Sequence, residues 1–365
     1  MSSNVHIYIF HASKNPNVGN TEQIQKIFTT KRFINLYKMK IGVVIINWNG
    51  LNLLKSHLKT VIDYSENCTI YVIDNFSSDQ SISYIEENYR DVKVISLDKN
   101  YGFAEGYNLG LKEVKEEYIC ILNNDIQVSK DWLKPIRQKL HKDPESIIQP
   151  IIRDINNTNY FEYAGAAGGF IDKYGYPFCR GRIFNTIEKD KNQYVDSEIF
   201  WASGACMVLS KDTFNKIGGF DEKFYAHMEE IDMCWRGFNL GYKCFLVSES
   251  KVFHVGAATI KRNSNKTYLN YRNSLIMLTK NLPIETLIIT IFFRLILDMI
   301  SSFRMLLSGN FSHFISIYKA HVDYFIMLKS LLRSRDNSHK NANYFKINSI
   351  VINYFLLGKK KFFQL

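Results

Sequence analysis

The sequence lacks several patterns that would assign it to a class at once. It contains six cysteines, but no two are spaced as CxxC, which argues against a zinc knuckle or a thioredoxin-type motif. We expect these cysteines to be buried free thiols in a reducing compartment. No segment reads G-x-G-x-x-G, so hydride transfer with a nicotinamide is not indicated. No tandem repeat is present.

A secretory or membrane-spanning segment is also not evident. The first ten residues do not combine a basic region with a long apolar core. The most apolar region, 282–307, is interrupted by four charged residues, so no stretch reaches the roughly 18–20 uncharged residues that a spanning helix needs. A chain that spans a membrane is therefore disfavoured, whereas one that lies on a membrane surface is not.

What the sequence does contain is an ordinary globular composition with an uneven charge. Hydrophobic residues make up 46% and charged residues 22% of the 365 residues, which excludes a disordered or fibrous protein. Residues 251–365 hold 17 Lys and Arg against 4 Asp and Glu, and they account for more than the whole net charge of +11. This split predicts a near-neutral body with a basic tail that contacts an anionic partner.

The first half of the chain alternates between strand and helix patterns. Residues 1–39 are polar and without a clear period, so we interpret them as an N-terminal extension and Met39 as a candidate natural start. Strands are predicted at 41–46, 69–73, 92–97 and 118–122, and helices at 51–63, 78–89, 103–114 and 131–141. Short links between them predict a doubly wound, mostly parallel sheet, in which ligands bind beyond the carboxyl ends of the strands.

The second half has a less regular pattern. Residues 150–196 are interpreted as hairpins and a loop over the sheet. Strands at 201–209 and 243–247 and helices at 211–217 and 229–240 follow. Beyond residue 255 the chain is helical and basic. The domain prediction is therefore an extension over 1–39, a catalytic or binding domain over 40–255 and a tail over 256–365.

Several polar residues follow predicted strands, and each alone has a structural explanation. Asp74 can accept hydrogen bonds from a ribose or base, but it can equally stabilise a turn. Asp125 and His254 can bind a divalent cation, although a loop Asp is often a cap and a lone His a structural residue. Glu229, Glu230 and Asp232 begin a helix, where acids are favoured electrostatically, and any one of them can be a general base.

Taken in order, these segments resemble one family. The motifs are Asn47-Trp-Asn-Gly50, Val72-Ile-Asp-Asn-Phe-Ser-Ser-Asp79, Asn100-Tyr-Gly-Phe-Ala-Glu-Gly-Tyr-Asn108, Leu122-Asn-Asn-Asp125, Gly218-Gly-Phe-Asp-Glu222, Glu229-Glu-Ile-Asp-Met-Cys-Trp-Arg236 and Tyr271-Arg-Asn273. The chain resembles a family 2 glycosyltransferase of the GT-A fold, in its bacterial rhamnosyltransferase-like branch. The resemblance covers about residues 40–280, with a looser similarity to about 335. It implies an α/β nucleotide-diphospho-sugar transferase fold with a Rossmann-like, mostly parallel sheet and a basic helical extension that associates with membranes.

The resemblance also implies roles for individual residues. The nucleotide sugar would contact Asn47, Asn49, Asp74, Asn100, Gly102, Phe103, Asn108, Asn123 and Asn124. Asp125 would bind Mg²⁺ or Mn²⁺, and His254 would complete the metal site. Many members carry Asp at the position of Asn123, so a second carboxylate ligand is missing here.

The catalytic base of the family corresponds to Glu230, where an Asp is usual. The longer side chain places its carboxylate about 1.5 Å further out. Three outcomes are open: Glu230 acts, Glu229 acts instead, or activity is poor. We expect Glu230 to act, with Glu229 and Asp232 as the other candidates.

The implied reaction is inverting transfer from a nucleoside-diphosphate sugar, with dTDP-rhamnose as one candidate donor, to a lipid-linked glycan of a surface polysaccharide. The alternative is a non-catalytic sugar-nucleotide-binding scaffold at the membrane. A nucleotidyltransferase is disfavoured because no basic glycine-rich loop follows the first strand.

The tail is expected to lie on the cytoplasmic face of a membrane. Residues 283–307 combine helical apolar spacing with a polar cluster on another side, and basic and aromatic residues mix further on. Packing of these helices on the catalytic domain or on a second subunit is the alternative. Nucleic acid is disfavoured because the segments are too apolar for a solvated phosphate-binding face.

Overall fold

The β-branched run after Met39 forms the first strand, which is buried on both faces as a central parallel strand should be. The computed structural model describes residues 39–256, 264–336 and 340–365. The predicted extension over 1–39, apart from Met39, lies outside these residues. The strands are β1 Ile41–Asn47, β2 Cys68–Asp74, β3 Lys93–Ser96, β4 Tyr118–Asn123, β5 Ile126–Val128, β6 Ile147–Asp154, β7 Gly169–Ile171, β8 Pro177–Cys179, β9 Arg182–Ile183, β10 Thr186–Ile187, β11 Ser197–Ile199, β12 Cys206–Ser210 and β13 Cys244–His254.

The helices cover the sheet and form the tail. They are α1 Leu51–Tyr64, α2 Ser81–Asn88, α3 Gly102–Glu113, α4 Leu133–Lys142, α5 Lys211–Ile217, α6 Glu229–Asn239, α7 Ser264–Asn281, α8 Ile284–Leu307, α9 Phe311–Arg333 and α10 Ile350–Phe355. The elements up to α4 agree with the sequence prediction to within three residues at each end, except β5, which was not predicted. Residues Met39 to Leu365 belong to one compact unit.

One large sheet organises the domain, with strand order β11-β13-β6-β12-β4-β1-β2-β3 and β5 paired to β13. β3, β2, β1 and β4 are parallel, and β12 runs antiparallel between β4 and β6. The predicted doubly wound, mostly parallel sheet is therefore present. The carboxyl ends of β1, β2 and β4 lie at one edge.

Two strands extend beyond their predicted bounds. The irregular region was expected to begin at 150, but Pro150 lies inside β6, which pairs with β13. The sheet tolerates this proline because the register of β13 shifts between Val247 and Lys251, at the position where Val247 faces Pro150. The strand predicted at 243–247 continues through this irregularity to His254. The irregular region contains the small antiparallel sheet β10-β9-β8-β7, as the predicted hairpins require.

Two of the tail helices, α8 and α9, pack on the rest of the protein by one side only. α7 buries a continuous run from Leu275 to Leu278, whereas α8 and α9 leave many large apolar side chains exposed. Among the described residues, α8 is the one helix long and apolar enough to cross a membrane by length and composition. This corrects the expectation that no segment meets that requirement. Two of the four charged residues in this helix, Arg294 and Asp298, pair with each other inside the protein at 2.8 Å.

Candidate active site

The predicted site residues gather at the edge where three parallel strands end. Asn47, the last residue of β1, faces Asp74, the last residue of β2. The buried Asn47 accepts a hydrogen bond from Nδ2 of Asn124 at 3.0 Å, which ties β1 to the turn after β4. Asp74 accepts the backbone N–H of Ser77 at 3.2 Å. The polar turns after β1, β2 and β4 thus form one continuous surface.

Asn49 connects the first two of these turns. Its backbone is in the left-handed region, at φ 50°, which Asn tolerates better than most residues. Its Oδ1 accepts the backbone N–H groups of Ser78 at 2.7 Å and Asp79 at 3.3 Å. The structure therefore gives Asn49 a bracing role beside the predicted nucleotide position.

The wall of the site at the start of α3 is held by Asn75, which the sequence analysis did not single out. Its Oδ1 accepts the N–H of Tyr101 at 2.9 Å, and its Nδ2 donates to Asn100 Oδ1 at 3.0 Å and to the carbonyl of Gly102 at 2.9 Å. Gly102 has φ 74°, and a Cβ added there would lie 2.5 Å from the ring of Tyr225. Only glycine fits this close approach.

Two residues predicted to form this wall have different surroundings. Phe103 is partly buried, and its ring packs against Tyr107 with centroids 4.8 Å apart. Asn108 points away to Phe220, donating to its carbonyl at 2.8 Å and accepting its N–H at 3.0 Å. This paired arrangement gives Asn108 a structural role, in holding the segment that contains Gly218 and Gly219.

The candidate metal pair is brought together by β5 and β13. Asp125 directly precedes β5, and His254 ends β13, opposite Ile126. His254 Nε2 lies 3.0 Å from Asp125 Oδ1, and Nδ1 lies 3.2 Å from the buried carboxylate of Glu162. Burial alone would lower the pKa of His254, but the hydrogen bonds and charges of Asp125 and Glu162 raise it to about 10. His254 must release this proton to become a metal ligand.

The chemistry of these residues fits a hard divalent cation with an open coordination sphere. A carboxylate oxygen and an imidazole nitrogen are suitable ligands for Mn²⁺ or Mg²⁺. Within 39–256, 264–336 and 340–365, no group of three or more His, Cys, Asp or Glu is arranged to hold a metal. Asn123 adds no carboxylate at the neighbouring position. Asp125 and His254 would thus leave several positions for the oxygens of a bound diphosphate.

The candidate bases begin α6. Glu229 is buried, Glu230 is partly buried, and one oxygen of each carboxyl has no hydrogen-bond partner among the described residues. Burial raises the pKa of both, and for Glu229 the nearby charge of Glu230 raises it further. A Cβ added at Gly204 would lie 3.3 Å from the Phe103 ring and 3.7 Å from Cβ of Glu230. Glu230 is therefore adjacent to the predicted nucleotide wall.

Asp232, the third acidic candidate, is fully buried and engaged in a structural network. Its Oδ1 accepts from Asn281 at 2.8 Å, and its Oδ2 accepts from Arg236 and Lys280, each at 2.8 Å. Burial would raise the pKa of Asp232, but the charges and hydrogen bonds of Lys280 and Arg236 lower it overall. Both oxygens are occupied, so we assign Asp232 to joining α6 and α7.

Comparison with known proteins gives a consistent family. The profile described as Glycosyl transferase family 2 matches residues 42–218. The chain is 24% identical over 242 residues to the low-salt glycan biosynthesis hexosyltransferase Agl10 of Haloferax volcanii, covering 64% of this chain and 73% of Agl10. It is 24% identical over 264 residues to the dTDP-rhamnosyl transferase RfbF of Shigella flexneri, covering 66% of this chain and 80% of RfbF.

A solved structure supports the fold. GalNAc-T7 with UDP, GalNAc and Mn²⁺ superposes with a TM-score of 0.53 at 17% identity, covering 67% of this chain and 48% of that chain. This chain therefore matches about half of that structure, and the similarity concerns the GT-A fold alone. The predicted resemblance to a family 2 glycosyltransferase of the rhamnosyltransferase-like branch is therefore confirmed, with the family model matching residues 42–218.

Proposed function

We propose that this chain is an inverting, metal-dependent glycosyltransferase that moves a sugar from a nucleoside-diphosphate sugar to a growing lipid-linked surface polysaccharide. The observation that carries the proposal is one sheet edge with polar turns, the pair Asp125–His254 and, beside it, the carboxyl groups of buried Glu229 and partly buried Glu230. The resemblance to RfbF favours a dTDP-linked rhamnose as donor.

In this proposal each group has a role in the displacement. Asp125 and His254 would hold the cation, which when bound supplies positive charge against the leaving diphosphate. The acceptor hydroxyl attacks the anomeric carbon, and the bond from that carbon to the diphosphate oxygen breaks with its electron pair leaving on the diphosphate. Glu230 takes the hydroxyl proton. Attack from the face opposite the leaving group inverts the anomeric carbon, without a covalent enzyme intermediate.

The donor class can be tested by ligand-induced stabilisation. A ligand that binds only the folded state raises the melting temperature. We expect dTDP with Mn²⁺ to raise it for the full chain, more than UDP or GDP at equal concentration. Inversion is tested by the anomeric configuration of the product, read by NMR. A nucleotide that binds while no donor sugar is ever transferred would favour the scaffold alternative, and the absence of any nucleotide effect would contradict the proposal.

We further propose that the protein lies on the cytoplasmic face of the membrane through α8, α9 and α10. In the middle of helix α8, charged side chains are buried and apolar side chains are exposed, which is the reverse of the pattern on a helix that faces water. Two of its four charged residues, Arg294 and Asp298, are buried, and Glu285 and Arg304 near its ends are exposed. Ile288 is 82% and Leu307 88% exposed. Arg294 and Asp298 bind the domain through the carbonyl of Tyr174 at 3.0 Å and the hydroxyl of Tyr176 at 2.6 Å. The apolar interior of a membrane would shield these exposed apolar side chains from water. The net positive charge of the tail favours a membrane that contains anionic lipid.

This placement predicts the result of vesicle flotation. The full chain is expected to float with vesicles that contain anionic lipid and to do so less with purely zwitterionic vesicles. Ile288→Asp should return it to the soluble fraction, because a charge there would be buried in lipid. The matched control is Val195→Asp, at an apolar residue of the domain that is 69% exposed. A wild-type chain that stays soluble, or that dimerises through this face in light scattering, would contradict the membrane assignment.

A further inference from the structure

The segment that leads into the candidate bases has an unusual backbone. Tyr225, His227 and Met228 have φ values of 63°, 68° and 74°, in a region that residues other than glycine rarely adopt. At Tyr225 ψ is −60°, and the N–H of Ala226 donates to the carbonyl of Phe224 at 2.7 Å. This is the γ-turn form that is rare because it is strained. Such a backbone persists only where its surroundings hold it.

One side chain outside the segment holds most of it. Nδ2 of Asn273, on α7, lies 2.9 Å from the carbonyl oxygen of Phe224, 2.9 Å from that of Ala226 and 2.7 Å from that of His227. Asn273 is fully buried. Its Oδ1 accepts two hydrogen bonds from Arg272, at 3.0 and 2.8 Å, which fix the orientation of the amide. The motif Tyr271-Arg-Asn273 thus supplies a clamp for this backbone.

The remaining carbonyl of the segment faces the nucleotide wall. Tyr225 accepts the N–H groups of Phe103 at 2.8 Å and Ala104 at 3.1 Å, in the first turn of α3. Its ring lies against Gly102. All four consecutive carbonyl groups, at residues 224–227, are therefore contacted from outside the segment. The carbonyl of Tyr225 is contacted by α3, and the other three are contacted by Asn273 of α7.

This clamp determines where the carboxyl pair lies. Met228, in the left-handed region, is the residue before α6, and Glu229 is its first residue. Because the residues before α6 are held in place, the first turn of α6 is held in place as well. The side chain of Met228, the residue before the helix, makes no capping hydrogen bond to the first turn, so the N-cap residue does not fix that position by itself.

We propose that Asn273, oriented by Arg272, is a positioning residue for the catalytic carboxylate. It holds the strained Tyr225–Met228 backbone so that Glu230 points toward the acceptor hydroxyl beside the nucleotide wall. This inference rests on the proposed function, and it adds a role for Asn273, a fully buried residue of α7.

The test uses two substitutions of Asn273 in the full chain. Asn273→Asp keeps the shape and replaces the donor amide by an oxygen facing three carbonyl oxygens, whereas Asn273→Ala removes the side chain. The readout is steady-state turnover of the donor sugar found by nucleotide screening, with transfer to acceptor or to water. Each variant is measured well below its melting temperature. We expect kcat to fall about 100-fold, as a displacement of about 1 Å in a catalytic group can cause, with little change in the donor KM.

A matched control and a rescue separate positioning from stability. Thr279→Val, on the same helix, removes a buried hydrogen bond to Tyr324 and should lower the melting temperature without lowering kcat. His227→Gly removes the cost of the left-handed backbone and should restore part of the kcat lost in Asn273→Ala.

Each outcome decides a different claim. Normal kcat in folded Asn273 variants would overturn the positioning role. An equal loss of kcat in Thr279→Val would also overturn it, because a loss of stability alone would then be enough to lower kcat. If neither Asn273 variant folds, Arg272→Lys takes their place, because it removes the hydrogen bonds that orient the Asn273 amide. Faster amide exchange at 224–230 with a lower kcat is then expected, and unchanged exchange with unchanged kcat would contradict the clamp. A wild-type chain that binds no nucleotide and turns over no donor would instead refute the proposed function.

Discussion

Glu230→Gln is expected to abolish sugar transfer while leaving nucleotide binding intact. Gln keeps the size of the side chain but cannot take the proton of the acceptor hydroxyl, and loss of a general base costs about 10²–10⁴-fold in rate. Because Glu230 lies beside Phe103 and Gly204, we expect this variant to lose more activity than Glu229→Gln. The measurement is kcat together with the nucleotide-induced change in melting temperature.

The same substitution is expected to raise the melting temperature at neutral pH. Burial raises the pKa of Glu230 above its value in the unfolded chain, so the folded state prefers the protonated carboxyl. Ionisation above the unfolded pKa therefore destabilises the fold, and an uncharged Gln removes this effect. The stability gain should vanish below the usual Glu range, where the carboxyl is protonated in both states.

The raised pKa also sets the pH dependence of turnover. The base must be ionised to accept a proton, so kcat should rise with pH through a value above that of an ordinary Glu. Because Glu229 and Glu230 repel each other, the profile belongs to the pair, and Glu229→Gln should move it to lower pH.

Two contrasting variants make these expectations decisive. Asp232→Asn should lower stability, because it removes the negative charge that Lys280 and Arg236 bind, and this effect should disappear in acid.

If Glu229→Gln abolishes turnover and Glu230→Gln does not, Glu229 is the base. If neither changes kcat, the assignment of the base to this pair is wrong.

The first half of the fold was predictable because its signals are local. β1 and β2 are continuous apolar runs that end at turn residues, and the helices between them have clear apolar periods. β6 was missed because Pro150 normally ends a strand. Its place in the sheet depends on an irregularity in β13, nearly a hundred residues away, which no local pattern indicates.

The candidate site divides in the same way. Residues at strand ends, such as Asp74 and Asp125, could be named because parallel strands bring their carboxyl ends together. Asn75 had a signal in its position directly after β2. Glu162 and Asn273 do not directly follow a strand, so their position in the sequence did not indicate a role. Their importance comes from the groups they contact, which are His254 for Glu162 and the backbone before α6 for Asn273.

The metal assignment leads to a second large effect, in the dependence of nucleotide binding on Mn²⁺. In the wild-type chain, Mn²⁺ should strengthen the nucleotide-induced rise in melting temperature. Asp125→Asn should abolish this strengthening, since it removes the carboxylate of a two-residue site while His254 alone remains. The matched control is Asp131→Asn, which makes the same charge change at an exposed residue in the next connection, between β5 and α4.

Glu162 allows a finer test of the same site. Its carboxylate lies 3.2 Å from Nδ1 of His254, on the side away from Asp125, where it can accept the Nδ1–H and leave Nε2 for the cation. Glu162→Ala should therefore weaken Mn²⁺ binding by about 10–100-fold, as loss of such an orienting partner does, whereas Glu162→Gln, which keeps an oxygen acceptor, should weaken it less. Titration of Mn²⁺ by electron paramagnetic resonance in the presence of nucleotide measures this directly. Equal affinity in Asp125→Asn and wild type would place the cation elsewhere and contradict its assignment to Asp125 and His254.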